Sequence, residues 1–165
     1  MKKFLNGSLF LIMAITCCGQ LFAQDNKKDK IKNLVASQSY VFKAQTALPM
    51  SGRTRQLTSE YEVKVAKDSV ITYLPYFGRA YTAPLDPSKG GIQFTSRKFD
   101  YTVNNAKKGG WNIQISPKDA DDVRQMVLML SEDGYGTLQV TSNNRQPIMF
   151  NGYITEREPR KYLKK

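Results

Sequence analysis

Between Tyr135 and Ile154 the chain carries two runs of alternating apolar and polar residues, separated by a cluster of turn formers. Leu138 and Val140 alternate with Gln139 and Thr141, and Ile148, Phe150 and Ile154 repeat on a period of two. Asn143-Asn144-Arg145-Gln146-Pro147 lies between the runs, and its Pro cannot donate to a ladder. Successive side chains of an extended strand point to opposite faces. The pattern therefore predicts an antiparallel hairpin with one buried face. Upstream segments repeat the plan, so the chain reads as a β-meander that needs closure.

Tyr40, Phe42 and Ala44 alternate with Val41, Lys43 and Gln45, which predicts a first strand over 39–48, broken by Pro49-Met50-Ser51-Gly52. Tyr61, Val63 and Val65 oppose Glu60, Glu62 and Lys64, and Lys67-Asp68 turns the chain into a partner strand over 70–76. Residues 77–91 are rich in Pro and Gly and predict an irregular segment, whose Tyr, Leu and Phe side chains should pack. Ile92, Phe94 and Ser96 form one alternating run and Phe99, Tyr101 and Val103 another. The phase slips by one at Arg97-Lys98, which predicts a tight turn or a bulge. Trp111, Ile113 and Ile115 make a further strand, stopped by Pro117. Residues 123–131 are apolar on both periods, and Asp119 to Asp122 would suit the first turn of a helix. Glu132-Asp133-Gly134 leads straight into the closing hairpin, so a strand buried on both faces is expected there. Ile31, Leu34 and Val35 recur at helical spacing within 24–38, which predicts a short amphipathic helix capped by Asp25 or Asn26. About nine short strands with almost no helix suggest a sandwich or a small barrel. Consecutive hairpins favour an up-and-down barrel of eight to nine strands over residues 39–155, which would remove exposed edges.

Lys2 and Lys3 followed by the apolar Leu9–Ile15 and by Leu21-Phe22-Ala23 match a signal peptide over 1–23, too short to span a bilayer permanently. The mature chain is expected to be exported, periplasmic or associated with the cell envelope. Membrane contact is expected only if Cys17 or Cys18 is lipid-modified, and Thr16 and Cys17 stand where a lipoprotein signal wants a small residue. Both Cys residues fall in the leader and His is absent, so disulfides, Cys–His pairs, Ser–His–Asp triads and most transition-metal sites are excluded from the mature chain. Without Lys2 and Lys3 the mature chain keeps 23 basic and 14 acidic residues, a net charge of +9. The acids interleave with the bases, so a mixed solvated surface is expected rather than a nucleic-acid interface. Residues 156–165 form a basic tail with Arg157, Arg160, Lys161, Lys164 and Lys165, read as solvated.

Gly109-Gly110-Trp111 before an Ile-x-Ile strand, Gly134-Tyr135, the run from Val140 to Ile148, and Gly152-Tyr153-Ile154 together resemble a family of exported Bacteroidota proteins. It is a domain-of-unknown-function family, family 4251. Ser39-Tyr40-Val41-Phe42 and the run from Leu74 to Tyr81 also fit its pattern, so the resemblance spans nearly all of the mature chain. It implies a lipocalin-like β-barrel and supplies no activity, catalytic residue or ligand.

A barrel of about eight strands is either filled by side chains or holds one small ligand. Tyr76, Phe77, Arg79 and Tyr81 are the candidate ligand-binding residues: their aromatic bodies would cover a barrel mouth and the guanidinium would neutralise an acidic headgroup. The competing expectation is that these aromatics cap the barrel and Arg79 serves a surface ion pair. Asp119, Asp121 and Asp122, near Glu132 and Asp133, lack the Asp-x-Asp-x-Asp-Gly calcium spacing, so no metal is expected. Glu60 and Glu62 share a solvent-facing side, which is weak ground for paired-carboxylate chemistry. No phosphate loop or Ser elbow occurs. The sequence thus predicts a monomeric, non-enzymatic protein without a cofactor, binding a small amphipathic or anionic ligand at the mouth. The alternative is an envelope interaction protein with a filled barrel.

Overall fold

The computed structural model describes residues 26–81, 90–107 and 109–158. The leader, including Cys17 and Cys18, the Asp25 cap, residues 82–89 and the tail bases Arg160, Lys161, Lys164 and Lys165 lie outside the described residues. A helix, α1, covers residues 26–37. Nine strands follow: β1 (Tyr40–Pro49), β2 (Arg55–Ala66), β3 (Ser69–Leu74), β4 (Ile92–Ser96), β5 (Phe99–Asn105), β6 (Trp111–Pro117), β7 (Val123–Leu130), β8 (Tyr135–Ser142) and β9 (Ile148–Thr155). They form one sheet in the order β4-β3-β2-β1-β9-β8-β7-β6-β5, an up-and-down barrel of the lipocalin-like kind. The expected all-β barrel with a short N-terminal helix is the fold observed.

The terminal hairpin takes the register its alternation predicted, with Leu138 opposite Phe150 and Val140 opposite Ile148, all four buried. β9 then pairs with β1, joining the two ends of the meander. Gly152 lies opposite Ala44, and a side chain there would collide with the Lys43 carbonyl oxygen, so the closing pair needs a residue without Cβ. The ambiguous segment is a strand, but only one of its faces is buried. Met126, Leu128 and Leu130 face the core, while Met129 is exposed and Val127 half-buried. Pro75 ends β3 at Leu74, two residues before the expected boundary.

Helix α1 seals one end of the barrel. Ile31, Leu34 and Val35 are buried in the same cluster as the barrel interior. Gly134 has a positive φ of 84°, and a Cβ on it would sit 2.6 Å from Ile31 Cδ1, so the β7–β8 turn must be glycine for the helix to dock. The helix ends in a Schellman turn: Ser39 N–H donates to the Leu34 carbonyl and Gln38 N–H to that of Val35, with Gln38 at φ 51°. Ion pairs of Lys28 with Glu132 and Lys30 with Glu156, each 3.0 Å, tie the helix to the β7–β8 turn and to the residues after β9. Glu156 is therefore part of the barrel end, whereas a wholly solvated tail was expected.

Inside, Tyr40, Phe42, Val63, Leu74, Ile92, Ile113, Met126, Leu138 and Phe150 are among the fully buried side chains, each contributing about 1.5–3 kcal/mol. Outward positions are mostly polar, including Lys64, Gln93, Asp100, Gln114, Arg124 and Asn151, with Ile71, Tyr73, Val103, Met129 and Met149 exposed among them. Among the described residues no helix is long and apolar enough to cross a membrane.

The sheet has one seam. All eight pairings are antiparallel, so β4 and β5, at the two ends of the order, run in the same direction. Arg97-Lys98 cannot then be a hairpin turn. It is a corner at which one long bent strand leaves β3 and joins β6. The expected full closure by hairpins is therefore corrected: β4 and β5 each have a ladder on one side only. Asp119, in the loop after β6, braces the corner. Its carboxylate accepts from the Ser96 hydroxyl, from Arg97 N–H at 2.9 Å and from Lys98 N–H at 3.3 Å. Lys118 N–H donates to the Lys98 carbonyl at 2.7 Å. On the helix side, the buried Tyr40 and the half-buried Tyr101 meet hydroxyl to hydroxyl at 3.2 Å, linking β1 to β5 across the interior. Burial raises both phenol pKa values, keeping the pair neutral.

The Ser96 hydroxyl and the two backbone donors hold the Asp119 carboxyl below its ordinary pKa of 3.8. A depressed folded pKa means that the stabilisation is fully present above the unfolded value. It fades as pH falls from about 5 through the folded value. Asp119→Asn should lower the denaturant midpoint at neutral pH, and the gap to wild type should narrow as the pH falls through the folded value. Urea unfolding followed by circular dichroism across that range checks this, and a gap independent of pH would contradict it.

Candidate functional site

At the end opposite α1, the segment after β3 crosses the β8–β9 loop. Tyr81 N–H donates to the Asn144 carbonyl at 2.8 Å and Gln146 N–H to the Arg79 carbonyl at 3.1 Å, with an isolated bridge between Ala80 and Arg145. Arg145 lies at the centre of this mouth, its side chain 10% exposed. Its Nε pairs with Asp122 Oδ2 at 3.0 Å, and its Nη1 donates to the carbonyls of Gly90 at 2.8 Å and Gly91 at 3.1 Å. One guanidinium thus ties the β8–β9 loop, the β6–β7 loop and the approach to β4. Asn143 adds bonds from its N–H to the Asp122 carbonyl and from Nδ2 to that of Asp121.

The four candidate residues divide between two roles. The Tyr76 hydroxyl is spent on carbonyls, 2.8 Å from that of Arg79 and 3.1 Å from that of Gln146, and its ring lies 5.1 Å from the Arg145 guanidinium. Burial raises its pKa, with Arg145 and the Gln146 bond opposing. Tyr76 is therefore part of the packing that shapes the mouth. Phe77 is half-buried against the core and lies 4.8 Å from the Arg55 guanidinium. Arg79 is exposed, and Tyr81 is exposed at 71%. Phe77 and Arg79 line one open groove of about 420 Å³, together with Arg53, Arg55, Pro49 and Ser51. Arg53 and Arg55 were missed in the sequence because their segment reads only as a strand break followed by a strand start.

A larger outer cleft of about 560 Å³ includes Lys43, Glu60, Glu62 and Lys64. Lys64 pairs with Glu62 at 2.5 Å and Lys43 lies 3.9 Å from the exposed Glu60, while Glu156, Arg157 and Glu158 also line the cleft. Of the other carboxylates considered, Asp119 braces the corner, Asp122 holds Arg145 and Glu132 holds Lys28. Among the described residues no cluster of three or more acidic, His or Cys side chains could hold a metal ion.

An up-and-down barrel, sealed by a helix at one end and knitted by loops at the other, defines the class. Within it the chain belongs to the DUF4251 family, described as a domain of unknown function, whose model matches residues 23–154. The structure is similar to the crystal structure of a DUF4251 family protein from Bacteroides eggerthii DSM 20697, with a TM-score of 0.58 and 19% identity over 79% of this chain and 87% of that one. At that identity the likeness concerns the fold. No curated protein matches the chain.

Arg145→Ala would leave Asp122 and two glycine carbonyls without their partner. Its expected cost is about 1.5–3 kcal/mol, the value of hydrogen bonds to a charged group. Denaturant unfolding measures it, and a loss near zero would show that the mouth is held by its backbone bonds alone.

Proposed function

We propose that this is an exported, non-enzymatic recognition protein of the periplasm or cell envelope that acts through its surface and stores no ligand inside. The observation that carries this is the state of the barrel interior. Inward side chains from all nine strands contribute to one continuous apolar core. A ligand cavity needs convergent polar groups to orient its guest. The buried polar residues here are Thr72 and Ser96, and both are engaged: Thr72 Oγ1 lies 4.0 Å from Met126 Sδ, and the Ser96 hydroxyl bonds Asp119. No buried side-chain nitrogen or oxygen among the described residues lacks a partner.

Native mass spectrometry of the mature protein from its own source, after extensive dialysis, should give the mass of the bare chain. A stoichiometric small molecule that survives dialysis and is released only on unfolding would overturn this reading in favour of an interior carrier.

A further inference from the structure

We infer that the groove at the barrel mouth is a binding site for a phosphate group, read by Arg53, Arg55 and Arg79 beside the ring of Phe77. The inference rests on the surface-recognition reading and names its site and ligand chemistry. The three arginines come from two separate stretches, the start of β2 with its preceding loop and the segment after β3, and they line one groove of about 420 Å³ that no carboxylate lines. Lys28, Lys30, Lys43, Lys64, Lys118 and Arg145 each face a carboxylate, whereas Lys32, Lys67, Arg97, Lys98 and Arg124 are scattered cations that form no ion pair among the described residues. Among the described residues, Arg53, Arg55 and Arg79 have no such partner. Three like charges around one open groove repel each other, and a bound oxyanion converts that repulsion into attraction.

The side-chain chemistry narrows the class. All three cations are arginines, whose planar forks offer paired donors to tetrahedral or planar oxyanions, where lysine offers a point charge. The support is ordered before any ligand arrives. Arg55 is laid against Phe77, the Arg79 carbonyl is fixed by the Tyr76 hydroxyl and Gln146 N–H, and the Ser51 hydroxyl donates to Gln146 Oε1 at 3.1 Å. A held backbone cuts the ordering cost of binding. Phe77 and Pro49 form an apolar wall beside the charges, suited to the carbon skeleton that carries the phosphate. Either a lipid headgroup or a soluble phosphate ester has this chemistry.

The test uses the full mature chain and two probes: sedimentation with phosphatidylglycerol vesicles, and calorimetric titration with glycerol 3-phosphate. Binding to the vesicles alone assigns the phosphate to a membrane lipid, and binding to glycerol 3-phosphate assigns it to a soluble ester. Whichever probe binds, Arg79→Ala and Arg53→Ala should each weaken it about tenfold, the loss of one charge-assisted hydrogen bond. Unchanged thermal midpoints would show that both variants fold. Lys43→Ala with Lys64→Ala, which removes twice the charge of either arginine variant from the outer cleft, should bind as wild type. The inference is overturned if neither probe binds, if the arginine variants bind as wild type, or if the lysine variant loses as much. Such a failure with a bare-chain mass would leave the surface-recognition reading standing, while an interior ligand in the mass spectrum would remove that reading itself.

Discussion

A sheet that closes on itself with antiparallel neighbours throughout needs an even number of strands. The described residues make nine, and β1 and β9 close antiparallel, so somewhere two neighbours must run the same way. The mismatch falls at Arg97-Lys98, where two residues are too few for a parallel crossover. The chain solves it by bending one strand across the gap. The hydrogen bonds that a ladder would have supplied are then partly replaced by side chains: Asp119 at the corner, Arg145 at the mouth and the Tyr40–Tyr101 pair inside. The rest of the barrel is conventional meander geometry held by apolar burial. The seam is where polar side chains carry structural weight.

That division also explains where recognition can be located. The interior is lined by one cluster of buried apolar side chains, and the helix end is covered by Ile31, Leu34 and Val35. The mouth is built from three loops that Arg145 holds together, and its groove gathers cations without local carboxylates. A rigid barrel presenting charged loops is a common division of labour, in which the scaffold supplies order and the loops supply chemistry.

Most of the fold was legible because it depends on local period. Alternation fixed the terminal hairpin, its register and the burial of Leu138, Val140, Ile148 and Phe150. Helical spacing located Ile31, Leu34 and Val35, and the slip in phase marked Arg97-Lys98 correctly as an irregularity. What local pattern could not supply was the direction of β5 relative to β4, which follows only from counting pairings around the whole sheet. The candidate site was legible in part. Tyr76, Phe77, Arg79 and Tyr81 do lie at one end of the barrel, but Tyr76 is engaged in packing, and the arginines that join Phe77 and Arg79 come from a stretch more than twenty residues upstream. Arg145 read as a turn former and Asp119 as a surface carboxylate. Each takes its role from partners far away in sequence, which neither spacing nor composition encodes.

Residue-resolved amide hydrogen exchange tests the seam most directly. Along β1, residues Val41 to Ala44 have strand partners on both sides, so every amide there should be protected. Along β5 one side faces β6 and the other faces no strand, so protection should alternate from Phe99 to Asn105. Uniform protection along β5 would mean that the strand has a second ladder and that the seam is closed.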